Sequence, residues 1–129
     1  MTVHRLTDAA TLLGVSDDTV RRWQQQGRFA AVDADGRAGI SGPDLARLAA
    51  EHADAPEHGP ATSSARNRLR GIVTKVTADT VMAQVELVCG PYRVVSLVSA
   101  ESVADLGLEP GVVATATVKS TNVSLELAP

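Results

Sequence analysis

The sequence predicts an α+β chain of two small modules, a mostly helical one first and a strand-rich one after it. Before residue 52 the apolar residues recur with helical spacing, behind residues that cap helices. After residue 64 apolar and polar residues alternate as they do in half-buried strands. Between them EHADAPEHGPATSS breaks both patterns with Pro56, Gly59, Pro60 and a Ser/Thr cluster. The expected organisation is therefore 1–52, a helical module; 53–63, a flexible linker; and 64–129, a small β module.

In the first module Thr7 is placed to cap a short helix whose apolar face is Ala9, Ala10 and Leu13, and Gly14 then supplies a turn that Val15 plugs. Ser16 caps a second helix, with Asp17 and Asp18 at its positive end. Val20 and Trp23 face the first helix, and Gly27 ends the second. Two short strands, Phe29–Val32 and Ala38–Ser41, flank an Asp35-Gly36 turn, and a helix runs from Pro43 to Glu51. The spacing is that of a helix-turn-helix followed by a wing, with Thr19, Arg21, Arg22 and Gln25 on the face opposite Val20 and Trp23.

In the second module five strands can be read: Leu69–Thr77, Val81–Val88, Tyr92–Val98, Val112–Lys119 and Val123–Leu127. A short capped helix ending at Gly107 separates the third from the fourth. Such a set builds a small closed Greek-key barrel. Polar residues gather at three strand ends: SARN at 64–67, Ser99, and KST at 119–121. If these ends converge they supply guanidinium, ammonium, hydroxyls and backbone N–H groups without a carboxylate, a donor set suited to a tetrahedral dianion. Arg66, Arg68 and Arg70 also alternate as a solvent-facing strand edge would.

Composition limits the alternatives. Aromatic residues are only 2% of the 129, so any core is built from small aliphatic side chains, which favours oligomerisation. The single Cys89 excludes an intramolecular disulfide and reads as a small buried hydrophobe. The first 20 residues lack an apolar leader segment, and no apolar run approaches the ~18 residues of a membrane span. A cytoplasmic protein with no membrane partner is expected. No nucleophile stands beside a base and His4, His52 and His58 have no ligand spacing, so neither catalysis nor a metal cation site is expected. The net charge of −3 means that nucleic-acid binding must rest on local clustering. Within 1–52 six arginines face seven acids.

LTDAATLLGVSDDTVRRWQQQGRF followed by DGRAGISGPDLARL resembles the winged helix-turn-helix of MerR-like and excisionase-like DNA-binding proteins. That resemblance implies that Ser16, Thr19, Arg21 and Arg22 meet double-stranded operator DNA, with Arg37 on the wing. TSSARNRLRGIVTKV, together with LVSAESVADLGLEPGVVATATVKSTNVSLEL, resembles the Mop, or TOBE-type, domain of molbindins and molybdate-responsive transcription regulators. It implies a five-stranded OB-like barrel that binds molybdate or tungstate between barrels. Ser64, Ala65, Arg66 and Asn67 match the start of the oxyanion motif, Ser99 stands at a hydroxyl position, and Lys119 and Ser120 match a lysine and small-residue pair, with Thr121 as neighbour. One barrel per chain implies a site completed by another subunit, hence a dimer or higher oligomer; single-barrel molbindins suggest a hexamer. Together the resemblances imply a one-component transcriptional regulator, with oxyanion storage as the alternative.

Overall fold

The computed structural model describes residues 2–53 and 62–129 as parts of two compact units, Met1–Ala55 and Pro56–Pro129. Most of the expected linker, and His58, lie outside the described residues.

The first unit is β1 (Val3–Arg5), α1 (Leu6–Leu13), α2 (Asp17–Gln25), β2 (Val32–Ala34), β3 (Arg37–Ser41) and α3 (Gly42–His52). Gly14 takes the left-handed conformation that ends α1 (φ 69°), and the Val15 N–H then reaches back to the Ala10 carbonyl at 3.0 Å. Ser16 caps α2 by accepting the Thr19 N–H at 3.1 Å, and Ser41 caps α3 by accepting from Asp44 at 3.2 Å. Each cap supplies an acceptor to a helical N–H that has no partner within its own helix. The three helices and the strands close over Ala9, Ala10, Val20, Trp23, Phe29, Ile40, Leu45 and Leu48.

Three details differ from expectation. Thr7 lies inside α1; Arg5 holds the cap position and makes no side-chain cap bond. Phe29 is a core residue and the strand begins only at Val32, because the burial of a large ring outweighs its strand propensity. The sheet of the first unit has a third strand, β1, which pairs with β3 in the order β1-β3-β2.

The second unit is β4 (Asn67–Ala78), β5 (Met82–Cys89), β6 (Tyr92–Ser99), α4 (Ala100–Leu106) and β7 (Val113–Val118), followed by a 3-10 turn at Ser120–Asn122. The strands form a curled antiparallel sheet in the order β6-β5-β4-β7. A bulge between Val73 and Lys75 shifts the register of β4 and bends it. Val73, Val85, Leu87 and Cys89 form the buried centre, with Val94, Val98, Leu108 and Ala114 packed around it.

The expected five-stranded barrel is therefore corrected to a four-stranded sheet. Val123–Leu127 keeps its apolar alternation but has no strand partner among the described residues, leaving Leu125 and Leu127 93% and 97% exposed. Between the β6 and β7 edges lies a groove of about 420 Å³, lined by Val94, Val98, Ala114, Ala116 and Val118. No helix among the described residues is long and apolar enough to cross a membrane.

The turn between β4 and β5 is tied by Asp79, whose Oδ1 accepts the N–H groups of Val81 and Met82, both at 2.7 Å. The Met82 N–H, followed by that of Val81, holds the Asp79 carboxyl below its usual range. A depressed carboxyl stabilises the fold above its unfolded pKa of about 3.9, and that contribution disappears as pH falls through the folded value. Thermal melts of Asp79→Asn should therefore fall below those of wild type at pH 7, with the gap closing in acid; a gap constant with pH would show that the carboxylate charge contributes nothing.

Candidate functional site

β4 and β7 bring two of the three predicted polar clusters together. Asn67 pairs with Val118 at the end of the ladder, and its Nδ2 donates to the Val118 carbonyl at 3.1 Å. Ser64–Arg66, just before β4, and Lys119–Thr121, just after β7, therefore leave the same end of the sheet. The approach to β4 is held locally: the Ala65 N–H donates to Ser63 Oγ at 3.3 Å, and Arg66 Nη1 donates to the Ser63 carbonyl at 3.5 Å. On the other side the Asn122 N–H bonds the Lys119 carbonyl at 2.9 Å and the Val123 N–H bonds that of Ser120 at 3.3 Å, forming the tight turn.

Ser64, Arg66, Asn67, Lys119, Ser120 and Thr121 are all exposed, and Ala65 is half-buried. Neither Arg66 nor Lys119 enters an ion pair among the described residues. The corner thus presents two cations, several hydroxyls and an amide, and no carboxylate belongs to either segment. Arg68, the next residue along β4, has its Nε buried with no hydrogen-bond partner. The alternation of Arg66, Arg68 and Arg70 had placed Arg68 on a solvent face; this buried N–H is a feature that the pattern could not show.

Ser99 does not join them. It pairs with Met82 at the opposite end of the sheet, and the Ala100 N–H bonds the Val81 carbonyl at 2.8 Å. β7 pairs with the first half of β4 and β5 with the second, so β6, carried on β5, ends next to the β4–β5 turn. The two places thus lie at opposite ends of the 12-residue β4. Convergence of all three strand ends within one chain is thus corrected. The Ser99 hydroxyl also has local partners: it accepts the Ser102 N–H at 3.0 Å, capping α4, and donates to Ser102 Oγ at 2.8 Å.

In the first unit Arg21 and Arg22 are exposed on α2, and Arg37 opens β3 just beyond the Asp35-Gly36 turn. Val20 and Trp23 are buried on the other side of α2. Ser16 Oγ and Thr19 Oγ1 lie 2.8 Å apart in a mutual hydrogen bond, so both hydroxyls already have partners. Among the described residues no group of three or more His, Cys, Asp and Glu could hold a metal ion.

Residues 63–125 match the family model described as the TOBE domain. Molybdenum-pterin-binding protein 3 of Clostridium pasteurianum is 43% identical over 63 residues, which is 48% of this chain and 93% of that protein. The chain belongs to the TOBE-domain family. Molybdenum-pterin-binding protein 2 of the same organism is 41% identical over the same shares of both chains. The structure of a molybdate binding protein from Sporomusa ovata is 35% identical with a TM-score of 0.50, covering 51% of this chain and 98% of that one. The TOBE match begins at residue 63, so both halves of the β4/β7 corner fall inside it, as does Ser99.

The cap geometry gives Ser99 a role in this TOBE unit that is independent of any ligand. Ser99→Ala should lower stability by about 1 kcal/mol through loss of the cap, and Ser99→Asp, which can also cap, should restore most of it. Thermal unfolding of the two variants checks this; equal loss in both would assign the effect to something other than capping.

Proposed function

We propose that the chain is a one-component transcriptional regulator that binds molybdate or tungstate between TOBE units of different subunits and reads operator DNA with its first unit. The observation that carries the anion reading is the β4/β7 corner, where Arg66 and Lys119 stand beside hydroxyls and an amide and neither has a carboxylate partner among the described residues. Two guanidinium or ammonium groups balance a dianion, while Ser64, Asn67, Ser120, Thr121 and the Ala65 main chain offer donors to its oxygens. The S. ovata relative is a molybdate binding protein and the C. pasteurianum relatives are molybdenum-pterin-binding proteins, which supports a molybdenum oxyanion as the ligand. Sulfate carries the same charge and is smaller, so discrimination against it rests on the size of the cavity.

The site is proposed to form between copies, a reading supported by the placement of Ser99 at the end of the sheet opposite the corner in the single chain. The unpaired Val123–Leu127 segment and the open apolar groove between β6 and β7 support association: each leaves apolar surface uncovered in the single chain. An anion bound at such an interface stabilises the assembly through mass action. In the regulator, Arg21 and Arg22 of α2 and Arg37 of the wing contact DNA. The domain division proposed for this function is 1–52 for DNA, 53–63 as linker and 64–129 for the anion.

One observation favours the storage reading instead. The start of α2 carries Asp17 and Asp18, and the hydroxyls of Ser16 and Thr19 already bond each other, which weakens that helix end as a phosphate or base contact. In a storage protein the first unit serves assembly or docking.

Titration calorimetry with molybdate, tungstate and sulfate tests the anion site, followed by duplex selection and gel-shift measurements. Tight binding of the first two anions, weak sulfate binding, and losses of at least about tenfold in Arg66→Ala and in Lys119→Ala are expected, given the ~1.5–3 kcal/mol typical of charged hydrogen bonds. Retained affinity in both variants would remove the corner from the site. Arg21→Ala/Arg22→Ala should abolish DNA binding and leave anion binding intact; a wild-type protein that selects no duplex but binds several anions per oligomer would favour the storage reading over the regulator.

A further inference from the structure

The alternation of Arg66, Arg68 and Arg70 becomes a charged stripe once β7 lies beside β4. Arg68 pairs across the ladder with Thr117 and Arg70 with Thr115, and the same register carried one step outward sets Arg66 opposite Lys119. Residues directly opposite each other on antiparallel strands share a face, so one face of the β4/β7 ribbon presents four cations and two hydroxyls. Arg66, Arg70, Thr117 and Lys119 are exposed, and Arg68 and Thr115 are half-buried. None of the four cations enters an ion pair among the described residues, and Arg68 Nε has no acceptor.

Charge is segregated in this unit. Residues 62–129 hold six Lys and Arg and six Asp and Glu, so the unit is neutral as a whole. Four of the six cations nevertheless share this face, while the acids stand elsewhere: Asp79 in the β4–β5 turn, Glu86 on β5, Glu101 and Asp105 on α4, Glu109 after it, and Glu126 beyond the 3-10 turn. Neither Asn67–Gly71 of β4 nor any residue of β7 is acidic. Glu86 stands opposite Lys75, past the bulge, and is already paired with Arg93. The Asp79 carboxylate is occupied by two main-chain N–H groups. The positive charge of the stripe is thus left without a counter-charge from its own strands.

Alternate residues of a strand stand about 6.5 Å apart, a spacing that suits a row of anionic groups better than one tetrahedral ion. Guanidinium groups beside hydroxyls are the side chains that meet phosphate and sugar in nucleic-acid complexes. We propose that the β4/β7 face of the TOBE unit, through Arg68 and Arg70 with Thr115 and Thr117, binds the phosphate backbone of duplex DNA and adds sequence-independent contacts to those of the first unit. The inference rests on the regulator reading above.

The test follows the binding of a fluorescein-labelled duplex of arbitrary sequence to the full chain by anisotropy, over a series of KCl concentrations. Sodium molybdate is titrated into the same proteins by calorimetry. Arg68→Gln combined with Arg70→Gln should lower the slope of log affinity against log salt by about 1.8 for each chain on the duplex, since each neutralised phosphate contributes about 0.9. Molybdate affinity should stay the same, and Arg68→Lys combined with Arg70→Lys, which keeps both charges, should retain the wild-type slope. An unchanged slope in the Gln variant, with duplex still bound, would overturn this surface alone. Dissociation of the oligomer by the Gln variant in sedimentation, with the slope unchanged, would assign the stripe to an interface between copies instead. A wild-type protein that binds no duplex at any salt concentration would overturn the regulator reading, and this surface with it.

Discussion

The second unit depends on one long strand that serves two partners. β4 pairs Asn67–Ile72 with β7 and Ile72–Ala78 with β5, with the bulge between Val73 and Lys75 near the crossover. Gly71 lies where the pairings meet: a Cβ there would come within 2.6 Å of Cys89 Sγ, so only glycine lets the strands close. From this division follow the meeting of Asn67 with Val118, the grouping of Ser64–Arg66 with Lys119–Thr121, and the removal of Ser99 to the far end.

Under the proposed function, that geometry is a reason for assembly. A single sheet holds one donor-rich corner, one helix-capping serine remote from it, an open groove and an unpaired strand-like segment. The core around Val73, Val85, Leu87 and Cys89 is small and wholly aliphatic apart from the thiol. A unit of this size gains most from burying apolar surface against a second copy. A dianion placed at the junction would offset the repulsion between the cations that converge there.

Much of this was legible in the amino-acid sequence, and the failures have a common cause. Ser16, Gly14 and Gly107 act on neighbours a few residues away, so their caps and turns could be read directly. The four paired strands were visible for the same reason: alternation is local. β1 was missed because its three residues carry no pattern and owe their conformation to β3, more than 30 residues on. Val123–Leu127 has the right alternation, but a strand also needs a neighbouring edge, which local sequence does not specify. Likewise, the hydrogen bond from Arg28 to Glu51 spans 23 residues, and in the sequence Arg28 is only one charge among six. At the candidate site the residue types were readable, while which strand ends meet depended on pairing order.

The claim that matters most is that the anion is held between chains at the β4/β7 corner. The most direct measurement is the anomalous difference map at the molybdenum absorption edge from crystals grown with molybdate. An anion held between chains gives a peak within hydrogen-bonding reach of Arg66 and Lys119 of one chain and beside residues of another. A peak enclosed by a single chain, or one remote from Arg66 and Lys119, would contradict it.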